Sequence, residues 1–326
     1  MRRRQFLTLV AGAAAARPIK GNAQQQPKKR PMIGFLVAGS ETSHGAWAAA
    51  FAKRLSELGW TDGRNVTIEY RWAAGDVQQT TEFAAEFARQ KVDLIVTSAY
   101  GVVAAKQATS TIPIVFAAYG DAVGNGLAVS LSRPGGNLTG LSIQPGELSS
   151  KRLELLREVI PSVRRLTALV NIHYAGLKHE VAGIRAASER MNIDVNIVEI
   201  ATAGDIEPAM TRLAGRTDAL YVYSEPLTNA HKSQIIAAAN TARIPTIFGF
   251  REFVDAGGLI SYGANFIDLF TRAAEFADKI LRGAKAADMP IQQPVKFDLI
   301  INLKTAKILG LSISESVLTR ADEVIE

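Results

Sequence analysis

Four histidines, His44, His173, His179 and His231, are the residues of the sequence that titrate near neutrality, and there is no cysteine. The lack of thiols removes thiolate metal sites, disulfides and a cysteine nucleophile. His173 and His179 are six residues apart with no third ligand beside them, so their spacing does not make a metal centre. His44 and His231 are expected at helix starts or facing solvent. There is no Gly-x-Ser-x-Gly elbow and no Walker A loop. Gly120-x3-Gly124-x-Gly126 holds only a fragment of a dinucleotide fingerprint. The expectation is a protein with no catalytic residue, no metal and no cofactor, one that binds rather than transforms.

The chemistry of recognition gathers instead in six short segments expected to follow strands: 39–44, 98–101, 118–124, 171–176, 224–229 and 249–252. They are rich in Ser, Asn, Tyr and small residues, which let a ligand approach the backbone. Ser40, Ser98 and Asp121 stand where helices should begin. There they either cap the helix or accompany free amides facing an anionic group. Tyr100, Tyr119, Tyr174 and Phe250 offer flat apolar walls. Asp121 and Glu225 suit an amine, and Arg251 suits a carboxylate or a bridge between acids. Asn171 ends a strand and either fixes a turn or meets the ligand. The candidate ligand-binding set is Ser40, Ser98, Tyr119, Asp121, Asn171, Ser224 and Phe250.

Those segments need elements to hold them. Short apolar runs predict strands over 32–38, 66–70, 92–97, 112–117 and 138–143. Helical spacing predicts helices over 44–58, after Asp76, over 99–108 and over 122–132. The rhythm restarts with helices over 147–159, 176–191, after Asp205 and over 229–242. Strands over 166–171, 194–200, 219–223 and 245–248 alternate with them. A Gly257-Gly258 turn, a strand near 259–262, a helix over 266–282, a strand near 297–301 and a short helix over 303–309 complete the chain. This alternation makes βαβ units and parallel sheets. Two similar runs imply an α/β fold of two doubly wound lobes. Ligands then bind beyond the carboxyl ends of the strands, in an interlobe cleft.

The chain has 326 residues, 48 % of them hydrophobic and 21 % charged, which is globular composition. Its net charge of +6 hints at nucleic acid. However, residues 1–23 carry five basic side chains and no acid, leaving 32 basic against 31 acidic side chains in the remainder. The electrostatic case for nucleic acid disappears. Residues 1–23 read as a twin-arginine-like export signal: Arg2–Arg4, an apolar stretch over 6–16, and Gly21-Asn22-Ala23 before a cut near Ala23. Residues 24–31 read as a flexible leader. With the signal removed, no stable membrane anchor remains.

Several long stretches carry a family resemblance. They include Glu57-Leu58-Gly59-Trp60-Thr61-Asp62-Gly63-Arg64-Asn65-Val66, Ser132-Arg133-Pro134-Gly135-Gly136-Asn137-Leu138-Thr139-Gly140 and Gly249-Phe250-Arg251-Glu252-Phe253-Val254-Asp255-Ala256-Gly257-Gly258. Phe297-Asp298-Leu299-Ile300-Ile301-Asn302-Leu303-Lys304 and the closing Arg320-Ala321-Asp322-Glu323-Val324 add to them. From about residue 32 to the end the chain resembles the ABC-transporter substrate-binding family that includes the tryptophan- and tyrosine-binding proteins. The resemblance implies the type I periplasmic binding-protein fold, with 32–145 plus about 263–290 in one lobe and 146–262 plus about 291–326 in the other. It implies a periplasmic receptor, a monomer, that binds a small solute such as an aromatic amino acid or related carboxylate and delivers it to an ABC permease. In that reading amides near Ser98 take the carboxylate, Asp121 or Glu225 the amine, and Tyr119 or Phe250 the ring. Some relatives are lipoproteins; without cysteine, a free form is implied here. Gly120-Asp121-Ala122-Val123 resembles the family's Gly-Asp-Pro-Val with Ala122 replacing proline. An exported sensor reporting to a membrane signalling partner is the alternative the sequence leaves open.

Overall fold

The computed structural model describes residues 30–143, 145–174 and 176–326. The expected export signal, and all but the last two residues of the leader, lie outside the described residues. The remainder forms two α/β lobes, each built on a largely parallel sheet.

The first sheet has the order β2-β1-β3-β4-β5, all parallel. Its strands are β1 (Met32–Val37), β2 (Thr67–Trp72), β3 (Leu94–Ser98), β4 (Ile114–Tyr119) and β5 (Leu138–Ser142). β3, β4 and β5 are buried along their whole length, which is why they read as unbroken apolar runs rather than alternating ones. Helices α1 (Glu41–Glu57), α2 (Val77–Gln90) and α3 (Tyr100–Ala108) cross over between strands. Ser40 caps α1 and Asp76 caps α2, each accepting the amide of the third helical residue, Ser43 and Gln79.

The chain then passes to the second lobe through α4 (Pro145–Val159). The second sheet has the order β12-β11-β10-β9-β8-β6-β7. Its strands are β6 (Arg165–Asn171), β7 (Asp194–Ile200), β8 (Ala219–Val222), β9 (Thr246–Phe248), β10 (Ile260–Ala264), β11 (Phe297–Asn302) and β12 (Glu323–Ile325). Between them lie α5 (Leu177–Arg190), α6 (Ile206–Thr211), α7 (Pro226–Ala230), α8 (Lys232–Thr241) and α9 (Arg251–Asp255). After β10, α10 (Phe266–Leu281) leaves this sheet and packs on α1 and the first sheet. Phe270 meets Phe35 at 5.9 Å, Trp60 donates to Asp278, and Arg54 pairs with Glu275. Residues 289–292 then run beside β5, the Ser142 amide donating to the Gln292 carbonyl and the Gln292 amide to the Gly140 carbonyl. β11 returns to the second sheet, followed by α11 (Leu303–Leu309) and α12 (Glu315–Leu318). Three strands of chain therefore connect the lobes.

Four expectations need correction. The segment 122–132 is a set of turns, not a helix. Gly126 is left-handed at φ 70°, and the amides of Leu127 and Ala128 both return to the Ala122 carbonyl, so no helical ladder propagates. The helix expected over 229–242 begins earlier, at Pro226, and breaks at His231 into α7 and α8. Asp205 stands at the N-cap of α6 as expected, but its carboxylate makes no bond into that helix; it accepts the amides of Ala201 and Thr202, closing a capping box on the 3-10 turn over Ala203–Asp205. β11 runs antiparallel to β10, because the chain leaves β10 for the first lobe through α10 and comes back into the second sheet from that same side.

The first lobe's core is centred on Phe35, which is fully buried against Phe51, Tyr70 and Phe270. Removing its ring leaves a cavity between sheet, α1 and α10. Phe35→Ala is expected to lower unfolding free energy by about 3–5 kcal/mol, read by chemical denaturation.

Candidate functional site

A cavity lies between the lobes, where the carboxyl ends of both sheets face each other. From the first lobe it is lined by His44 and Trp47 on α1, Ser98, Ala99, Ala118, Ile143 and Phe266. From the second come Arg152 on α4, Glu180 on α5, Tyr174, Tyr223, Ser224, Pro226 and Phe250.

The walls are aromatic. Trp47 stacks on Phe266 at 4.4 Å and meets Phe250 edge-on at 6.0 Å, while its indole nitrogen donates to Glu252 across the cleft at 2.9 Å. His44 is expected at a helix start or in solvent; it lies in the first turn of α1 but is only 4 % exposed. Gly39 makes its burial possible, since a Cβ there would fall 2.1 Å from the imidazole. Burial, and then the charge of Lys232, lower its pKa to about 3. Ala99, at φ 49° and ψ −125°, is a strained turn between β3 and α3 that directs Tyr100 toward the other lobe.

Tyr100 makes the main interlobe junction. Its hydroxyl donates to Oε2 of Glu225 at 2.8 Å and accepts from Nδ2 of Asn171 at 2.9 Å. Asn171 also donates to the same carboxylate oxygen. The amides of Leu227 and Thr228 complete the set, so Glu225 accepts four hydrogen bonds while capping α7. Burial raises the Glu225 carboxyl above its usual range against the pull of these donors. Tyr174 packs edge-on between Tyr100 and Tyr223.

Among the described residues, one buried cation, Arg152, reaches the cavity. Arg152 donates through Nε to the Tyr262 carbonyl at 2.7 Å and through Nη1 to Glu180 and to the Tyr221 hydroxyl. Tyr221 in turn donates to Glu180. Burial pushes the Glu180 carboxyl up, with Arg152 the main opposing influence. A side chain at Gly249 would strike Arg152, so that glycine keeps the guanidinium's place open.

Of the residues expected at the site, Ser98, Ser224 and Phe250 line this cavity. Ser224 is tied down by the amide of Gly249. Asn171 belongs to the junction with Tyr100 and Glu225, and also accepts the amide of His173. Ser40 sits behind the wall, bonded to Ser43, which holds His44. Tyr119 lines an adjoining cavity, with Ala99 and Tyr174 shared between the two. Asp121 lines neither, and accepts the amides of Val123 and Gly124. Arg251 bridges Asp255 and Glu323 within the second lobe. Sequence reasoning missed Arg152 and Glu180. The signal was present: each is a charged residue on the apolar stripe of its helix, Arg152 among Leu148, Leu155 and Leu156, Glu180 beside Leu177 and Ile184.

Residues 35–325 match the family described as ABC transporter substrate binding protein. The chain belongs to this family. It is 30 % identical over 292 residues to a protein named tyrosine-binding protein from Clostridioides difficile, covering 89 % of this chain and 84 % of the relative. It is similar to the ABC domain in complex with L-Trp from Streptococcus pneumonia, with TM-score 0.86 and 26 % identity over 91 % of this chain and all of that one. It is also similar to the ligand-free, open structure of a substrate binding protein with adhesive properties from Clostridium difficile, with TM-score 0.68 and 28 % identity over 91 % and 99 % of the two chains. The fold is the two-lobed type I periplasmic binding-protein fold, and the family is one of substrate-binding proteins rather than enzymes. Among the described residues no helix is long and apolar enough to cross a membrane.

The depressed pKa of His44 has a consequence for stability. Above about pH 6.5 the ring is neutral in both folded and unfolded chains, and its contribution is fully present. As pH falls toward 3, the unfolded chain takes up a proton that the folded one refuses, so stability is lost. His44→Phe is therefore expected to show a shallower fall of unfolding free energy between pH 6.5 and 4 than the wild type, by up to about 1.4 kcal/mol per pH unit, measured by denaturation across that range.

Proposed function

We propose that this protein is the periplasmic receptor of an ABC importer, exported by its N-terminal signal, and that it binds an aromatic amino acid or a related aromatic carboxylate between its lobes. The observation that carries the reading is the composition of the cavity. Aromatic walls from both lobes enclose it, and among the described residues one guanidinium, that of Arg152, reaches it from a buried position, held there by Glu180. Such a lining suits a flat apolar group joined to a carboxylate. The names of the tyrosine-binding relative and of the L-Trp complex agree with it.

The reading assigns Ser98, Ser224 and Phe250 to direct contact with the ligand. Ser40 and Asn171 support the walls, and Tyr119 and Asp121 lie along the approach. The lobes move as two bodies about the three connecting strands of chain, and the closed monomer docks on a membrane permease. At similar identities the chain superimposes better on the tryptophan-bound relative than on the open, ligand-free one, which supports a closed state here. No chemical step is required of the site.

Two outcomes test this. A panel of aromatic amino acids, aromatic carboxylates, sugars and purines is added to the purified protein. A cognate ligand at 100 times its dissociation constant is expected to raise unfolding free energy by about 2.7 kcal/mol, seen as a thermal shift. Stabilisation by sugars alone would overturn the reading. Tyr100→Phe, which removes the hydroxyl linking the lobes, is expected to weaken binding of that ligand by roughly 1 kcal/mol, measured by calorimetry.

A further inference from the structure

Among the described residues lining the cavity from the first lobe, His44 alone is titratable. Its ring is fixed on three sides. Gly39 lies flat against one face, the edge of Trp47 packs at 4.2 Å, and Nδ1 is 2.6 Å from Oγ of Ser43. Ser43 Oγ also receives the amide of Ser40, lies 3.1 Å from the Ser40 carbonyl oxygen, which can only accept, and lies 3.0 Å from the Ser40 hydroxyl. We place the Ser43 proton on that carbonyl, an assignment that makes Nδ1 the donor to Ser43 and leaves Nε2 with a lone pair. No hydrogen bond from a described residue reaches Nε2. The cavity thus has a neutral acceptor on the first lobe and the Arg152 guanidinium on the second, with Trp47, Phe250 and Phe266 between as apolar surface.

We propose that Nε2 of His44 accepts a hydrogen bond from an N–H or O–H on the ring of the bound ligand, so that His44 selects indole- and phenol-bearing amino acids over those with a plain phenyl ring. The inference rests on the function proposed above and assigns the feature of the ring that is read. The charged end of the ligand lies toward Arg152 and the ring donor toward His44. One molecule then engages both lobes, and the closed form gains contacts that the open form lacks. A plain phenyl ring leaves a buried acceptor unpaired. Sites built to pair a ring donor reject such analogues strongly, by about tenfold or more.

The experiment is calorimetric titration of the full chain with L-tryptophan, L-tyrosine, L-phenylalanine and 3-benzothienyl-L-alanine. The last keeps the shape of tryptophan without its ring N–H. The wild type is expected to bind tryptophan or tyrosine at least about tenfold more tightly than its donor-less counterpart. His44→Phe is expected to erase that preference while holding phenylalanine within about threefold of its wild-type affinity. His44→Gln, whose side-chain carbonyl supplies an acceptor at a similar reach, is expected to restore part of the preference. Where His44→Phe does not fold, the wild-type comparison of tryptophan with benzothienylalanine decides by itself. Equal affinity for those two, or an undiminished preference in His44→Phe, overturns the role of His44 and leaves the receptor reading in place. Failure of every aromatic amino acid to bind the wild type overturns the receptor reading, and the role of His44 with it.

Discussion

Glu225 is a carboxylate without contact with water, and a buried carboxylate is tolerated only when its oxygens are hydrogen bonded. Three of its donors belong to its own lobe: two amides of α7 and the side chain of Asn171. The fourth, Tyr100, crosses from the other lobe. When the lobes part, water can take the place of Tyr100, while the local donors stay. The junction therefore directs how the lobes meet without locking them. A buried hydrogen bond contributes about 1 kcal/mol net; Tyr100 makes two across the cleft, to Glu225 and from Asn171, and the bond from Trp47 to Glu252 adds a third of the same order. Three such bonds and a few aromatic edges leave closure sensitive to whatever fills the space between them.

What fills it is constrained by the walls. The strained turn at Ala99 directs Tyr100 across the cleft and leaves Ser98 and Ala99 facing the cavity. At Gly39 and Gly249 the backbone yields to a side chain of the cavity wall, to His44 and to Arg152. The guanidinium is anchored by the Tyr262 carbonyl, Tyr221 and Glu180, so its position is set before any ligand arrives. Preorganised polar groups at the ends of an apolar slot give orientation, and the aromatic area between them gives affinity.

Much of the fold was legible because burial on both faces turns parallel strands into unbroken apolar runs, as in β3 and β4. Caps at Ser40 and Asp76 marked helix starts, and β7 has the expected limits. The turns over 122–132 were not legible: Leu127 and Leu131 have helical spacing, but left-handed Gly126 and the carboxylate of Asp121 impose turns. The lining of the candidate cavity was legible where it follows strands, as at Ser98, Ser224 and Phe250. Arg152, Glu180 and His44 sit in helices, and a charge on a helix gives no hint of facing inward unless the whole apolar stripe is traced. Asp121 and Glu225 illustrate another limit. Both were candidates for an amine, but their oxygens accept amide hydrogen bonds that depend on local backbone geometry invisible in residue type.

The central claim is that a ligand held between the lobes favours their closed arrangement. It is tested most directly by the distance between the lobes in solution. The chain has no cysteine, so Val77→Cys and Ile172→Cys, exposed positions on the first and second lobes, can carry a pair of spin labels cleanly. The account predicts that a bound aromatic amino acid shortens and narrows the distance distribution between them. An unchanged distribution under saturating ligand, with binding confirmed in the same sample, would contradict it.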